Sequence, residues 1–207
     1  MLKKKNIIML IAIFVILIIF LIIFIQSHYK KTNNGNNINN KTLDECEEYI
    51  YNISSYEAIA KIEVKSNKNS NKYIIRQINS KQEKIQEILE PENIKGIKFI
   101  YIDNTLSIEN AKLDLKKIYE DYPYIEENSM FLTDFISEYK NNKQNGNTAL
   151  EKQNDYIVYT INLDGVYINK KELYIDVKTG NPIKLIVQDN NKRNIIYILY
   201  NEIKLNI

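Results

Sequence analysis

The sequence has no tryptophan, one cysteine, one histidine, five glycines and three prolines in 207 residues. A single Cys cannot close an intrachain disulfide, so an oxidising compartment would add no cross-link to the fold. One His and one Cys leave almost no ligands for transition-metal or Cys/His chemistry. Glycine-rich phosphate loops, HExxH, CxxC and GxSxG are all missing. No metal or cofactor is implied, and an enzyme is not expected. Without Trp, a platform for stacking sugars is weakened.

What is present begins with an apolar run over residues 7–25, IIMLIAIFVILIIFLIIFI, with no charge, Gly or Pro. As a helix rising ~1.5 Å per residue it would be about 28 Å long, close to the ~30 Å hydrocarbon core of a bilayer. Lys3, Lys4 and Lys5 precede it and Lys30 and Lys31 follow, a bias toward a cytoplasmic N-terminus and an extracytoplasmic remainder. A cleaved signal peptide would have a shorter apolar core ending in small residues; here the run ends Phe24-Ile25-Gln26-Ser27-His28. An uncleaved anchor is therefore expected. Cys46 follows Leu43-Asp44-Glu45 rather than a short apolar stretch, which argues against lipidation.

The formal charge of +2 is uneven. Setting aside the five lysines around the apolar run leaves 23 basic against 26 acidic side chains, a net of about −3. That balance disfavours nucleic acid, which rewards a basic patch, and a domain lying flat on anionic lipid. The division expected is a cytoplasmic start at 1–6, a transmembrane anchor at 7–25, a flexible linker at 26–41 and an extracytoplasmic domain at 42–207. The Asn-rich HYKKTNNGNNINNK reads as the linker, with His28 a polar residue at the membrane edge.

Thr42-Leu43-Asp44-Glu45 fits a capping box, and Leu43, Cys46, Ile50 and Ile53 follow at helical spacing, which makes Cys46 a buried thiol. From Tyr56 the period becomes two: Ala58, Ala60, Ile62 and Val64 alternate with charged neighbours. Further strands are expected over 73–78, 84–89 (ended by Pro91), 97–102 and 106–108. Residues 112–122 fit both helix and strand and are read as strand. Phe131, Leu132, Phe135, Ile136 and Tyr139 form a second helical stripe, with Asn128 or Ser129 as cap. Residues 141–154 read as a polar loop. Strands at 155–161, 172–177, 182–187 and 194–206 close the chain, with Gly180 supplying a positive φ in one turn. Asp103, Asp164, Asp176 and Asp189 fall at strand ends, where turn-making explains them. The fold class is mainly β with two helices, about ten strands in an antiparallel meander.

The 16 tyrosines read chiefly as half-buried strand packing. Tyr124, Tyr156, Tyr159, Tyr167 and Tyr174 are the candidate partner or ligand surface.

The order helix, meander, helix, strand series resembles the LolA/LolB-like lipoprotein-carrier superfamily, and within it the clostridial germination lipoprotein GerS family. The resemblance rests on Pro91-Glu92-Asn93-Ile94-Lys95-Gly96, on the hairpin Leu173-Tyr174-Ile175-Asp176 with Thr179-Gly180-Asn181-Pro182, and on Tyr200-Asn201-Glu202-Ile203, and covers most of 43–207. It implies a half-open antiparallel β-barrel (LolA-like) with helices in its mouth. It also implies either an acyl-chain cavity for lipid or a non-catalytic protein partner of a cell-wall amidase in sporulation and germination. The family's lipid-bearing Cys is missing, and residues 7–25 stand in its place. A carrier must leave its donor membrane and a chain with this anchor cannot, which favours the partner-binding module.

Overall fold

The structure, a computed structural model, describes residues 37–66, 68–122 and 130–207. The expected anchor at 7–25, the residues before it, most of the spacer, Tyr124 and the helix-cap candidates Asn128 and Ser129 lie outside these. Among the described residues no helix is long and apolar enough to cross a membrane.

Helix α1 (Leu43–Tyr51) opens on the expected capping box: the Glu45 amide donates to Thr42 Oγ1 at 3.3 Å and the Thr42 amide donates to Glu45 Oε2 at 2.7 Å. Its inward stripe is Cys46, Tyr49 and Ile50, continued by Ile53, while Leu43 in the first turn is 46% exposed. Before α1, Ile38 is fully buried and its amide donates to the Val177 carbonyl at 2.8 Å. The packed part of the chain thus reaches back into the stretch read as spacer.

The described strands are β1 (Ser55–Lys65), β2 (Ser70–Asn79), β3 (Lys84–Glu90), β4 (Lys98–Ile102), β5 (Thr105–Asn110), β6 (Leu115–Tyr119), β7 (Thr148–Gln153), β8 (Tyr156–Asn162), β9 (Ile168–Asp176), β10 (Pro182–Asp189) and β11 (Asn194–Asn206). They form one antiparallel sheet in the order β6-β5-β4-β3-β2-β1-β11-β10-β9-β8-β7. The first and last strands lie side by side in its middle. The two edges, β6 and β7, are not paired with each other, so the sheet is open. Helix α2 (Leu132–Lys143) comes between them in the chain.

Strand alternation assigns the faces. Pairings of Tyr159 with Leu173, Leu173 with Leu185, Leu185 with Ile198, Ile198 with Ile62 and Ile62 with Tyr73 make one continuous apolar row across six strands. A slip of one residue would turn a whole strand's apolar set outward. The row lies under the helices, and Phe131, Leu132, Phe135 and Tyr139 of the second helical stripe are buried against the same core.

Two expectations change. Residues 141–154 contain the last turn of α2 and then β7, an eleventh strand whose sequence TALEKQ has no β-branched apolar residue. Its place comes from pairing with β8, which sets Thr148 opposite Ile161 and Leu150 opposite Tyr159. The N-cap of α2 is Phe131, which supplies no side-chain bond; the Leu132 amide donates instead to the Tyr56 hydroxyl at 3.0 Å, 76 residues away. The ambiguous 112–122 resolves into a short 3₁₀ turn, Ala111–Leu113, and β6.

Candidate functional site

Over β7, β8 and the strands beside them the inner face is sealed. The Tyr139 ring stacks on Phe135 at 6.2 Å and meets Tyr159 edge-on at 5.6 Å. The Tyr159 hydroxyl donates to the Cys46 carbonyl at 2.7 Å, and the Tyr49 hydroxyl to the Gly180 carbonyl at 2.8 Å, stitching α1 to the sheet. Burial pushes the Cys46 thiol above its ordinary value, the wrong direction for a nucleophile.

Toward β2 and beyond, the described residues cover the same face only in part. A groove of about 460 Å³ opens there, walled by Val64, Tyr73, Ile88, Ile97, Phe99 and Met130, among others. Its size and apolar lining are those of a ligand or side-chain pocket. At its border the Tyr101 ring meets Phe131 edge-on at 6.3 Å, and the buried Gln77 side chain donates to the Met130 carbonyl at 3.1 Å.

The sheet ends beyond this groove at β6, every residue of which is exposed. Ile118 is 52% exposed, and Leu115 and Tyr119 stand on the groove side, Tyr119 opposite the buried Leu106. Among the described residues no strand pairs with the outer side of β6, and an edge carrying apolar side chains is a template for a further strand. The opposite edge, β7, is partly engaged: the Lys152 ammonium donates to the Asn39 carbonyl at 2.5 Å.

The five candidate tyrosines do not share one surface. Tyr156 and Tyr174 are neighbours on the outer face, rings 6.4 Å apart, with the Lys184 ammonium 3.9 Å from the Tyr174 centroid. Tyr159 is fully buried in the core. Tyr167 is 80% exposed on the loop after β8, separated from Tyr156 by the length of that strand, about 20–25 Å at ~3.4 Å per residue. Tyr124 lies outside the described residues. The residues that wall the groove were not among the sequence candidates. Their signal was there: β2 to β5 carry apolar residues in phase with the core, while two short helices cannot cover a sheet this wide. Among the described residues no three His, Cys, Asp or Glu side chains group to hold a metal ion. Asp176 and Asp189 act as turn-makers, each accepting backbone amides two to four residues on.

A family model described as sporulation protein YdcC-like matches residues 4–207. No curated protein matches the chain. Solved structures similar to it include a chain of the complex of the CwlD amidase with the GerS lipoprotein from Clostridioides difficile, 24% identical, covering 76% of this chain and 90% of that one, TM-score 0.47. An uncharacterised conserved protein from Thermus thermophilus is 12% identical, with 79% and 85% covered and a TM-score of 0.48. A LolA superfamily protein from Nitrosomonas europaea is 12% identical, with 80% and 94% covered and a TM-score of 0.40.

Proposed function

The chain belongs to the family of YdcC-like sporulation proteins, and from that membership we propose that it is a membrane-tethered, non-catalytic binding protein. It sits in the cell membrane with its N-terminus in the cytoplasm and its β-domain outside. Its partner is a cell-wall amidase acting on the spore cortex. The sequence resemblance to germination lipoproteins supports this partner class. The observation that supports the reading is the apolar groove together with strand β6, exposed throughout at the edge of the sheet.

The mechanism is strand addition. A partner strand hydrogen-bonds along the outer edge of β6, and its alternate side chains pack beside Leu115 and Tyr119 toward the groove. Main-chain bonds supply affinity, and the groove selects the side chains. The anchor holds the partner at the membrane, where a fixed tether raises its effective concentration.

Co-purification tests this. The full chain, solubilised from membranes, should retain the cell-wall amidase of the same organism, and Leu115→Asp, at an exposed position on the groove side, should lose it while leaving the domain folded. The apolar groove supports a second reading, an acyl chain held in it. Mass spectrometry of an organic extract distinguishes the two: bound lipid with no retained amidase would replace the first reading by the second.

A further inference from the structure

The loop joining β8 to β9 is built rather than slack. The Leu163 amide donates to the Asn169 carbonyl at 2.7 Å, and the Asn190 side chain from the β10–β11 turn donates to the carbonyls of Gly165 at 3.2 Å and Val166 at 2.9 Å. A Cβ on residue 165 would lie 2.8 Å from the Ile168 carbonyl oxygen, so only glycine lets the chain fold back so closely. This fixed loop holds Val166 and Tyr167 out at 79% and 80% exposure. An aromatic ring presented on an ordered loop is a ready contact surface, because little of its motion remains to be lost on binding.

Beside it lies a cleft of about 500 Å³, lined by Asn142, Asn147, Asn162, Asp164 and Tyr167 among others. Asn162 donates its amide to the Asn147 carbonyl at 2.8 Å, so these two residues face each other across neighbouring strands. Among the described residues, the side chains of Asn147, Asn162, Asp164 and Tyr167 make no hydrogen bond to the protein. The lining is therefore a set of unspent neutral donors and acceptors, one carboxylate, one exposed ring and an apolar floor from Leu163 and Ile168.

That chemistry discriminates between ligands. Among the described residues lining the cleft none is a cation, and Asp164 would repel a phosphate, which disfavours nucleic acid and lipid headgroups of that charge. An acyl chain would leave the amides unmatched. A peptide could not extend the sheet here, because β8 and β9 are each paired on both sides. A pyranose chain matches this lining: it has C–H faces for an aromatic ring and a rim of hydroxyl or acetamide groups for side-chain amides. We propose that this cleft is a saccharide subsite taking a neutral or N-acetylated glycan strand. Tyr167 stacks on one ring, and Asn147 and Asn162 hydrogen-bond to its substituents. The cleft lies at the start of β9, about 30 Å at ~3.3 Å per residue from the end of that strand, where Ile38 joins the sheet.

The test is calorimetric titration of the full chain, in a zwitterionic detergent free of sugar headgroups, with tetra-N-acetylchitotetraose. Saturable binding is expected. Tyr167→Ala should weaken it by about tenfold or more, Tyr167→Phe by no more than about threefold, and Asn162→Ala by about fivefold, with unchanged circular dichroism in each. No saturable binding by the wild type overturns the proposal, as does affinity undiminished in both Tyr167→Ala and Asn162→Ala. The outcome is independent of amidase retention, which depends on the far edge of the sheet.

Discussion

The tyrosines show how much one residue type can differ by position. Tyr167 is open to solvent, whereas Tyr49, Tyr139, Tyr159 and Tyr200 are buried. Desolvation pushes the Tyr49 phenol up to about 12 and raises the other three further, with the bond to the Glu47 carboxylate adding to the shift of Tyr139. Below the unfolded value of ~10 every phenol is protonated in both states and nothing is lost. Above it the unfolded chain releases protons that the folded chain keeps, so stability falls as pH rises from ~10 through 12 and beyond. Absorbance at 295 nm should therefore show these four phenols ionising in a cooperative step above about pH 10 that coincides with loss of circular dichroism. Ionisation of Tyr49, Tyr139, Tyr159 and Tyr200 at about pH 10, with structure intact, would contradict their burial.

Helix α2 is the element with the most unusual support. Its apolar stripe was legible, because Phe131, Leu132, Phe135, Ile136 and Tyr139 recur at helical spacing. Three of the charges on this helix pair with other elements. Asp134 pairs with Lys84 of β3, Glu138 with Lys171 of β9 at 2.5 Å, and Lys143 with Glu47 of α1. The Lys171 and Glu138 side chains are 4% and 8% exposed. Such a partnership joins residues 33 apart in sequence, so no local pattern announces it. The same holds for Tyr56 capping α2 and for β7, whose strand character is lent by β8. The capping box of α1 and the Gly180 turn (φ +68°) were legible because each is complete within about four residues. Removing one member of a buried pair strands a charge, so Lys171→Met should cost about 3–5 kcal/mol, while Lys171→Met with Glu138→Leu should recover most of that. Urea unfolding of the single and double variants measures both. A single variant within about 0.5 kcal/mol of wild type would show the pair to be incidental.

At the scale of the whole sheet, the two sides of the central β1–β11 pair are unequal. On one side β8, β9 and β10 are buried against two helices. On the other, β3 and β4 carry no buried residue, β5 buries only Leu106 and Asn110, and β6 is exposed throughout. Apolar area removed from water contributes roughly 25 cal/mol per Å², so the uncovered arm is held mainly by its ladder hydrogen bonds and local pairs. Meander strands joined by short turns can also open together without disturbing β1 and β11. This inequality suits the proposed binding role, since a surface that receives a partner strand and side chains in a groove cannot also be filled by its own helices. Native-state hydrogen exchange should then divide the domain. Amides of β8 to β11 and β1 should exchange only through global unfolding, and those of β4 to β6 through a smaller opening at clearly lower free energy. Binding of the partner at β6 should slow the second group far more than the first. Equal protection of β5 and β9 in the free protein would mean that the open arm is as firmly folded as the covered one, and that the groove is not a yielding surface.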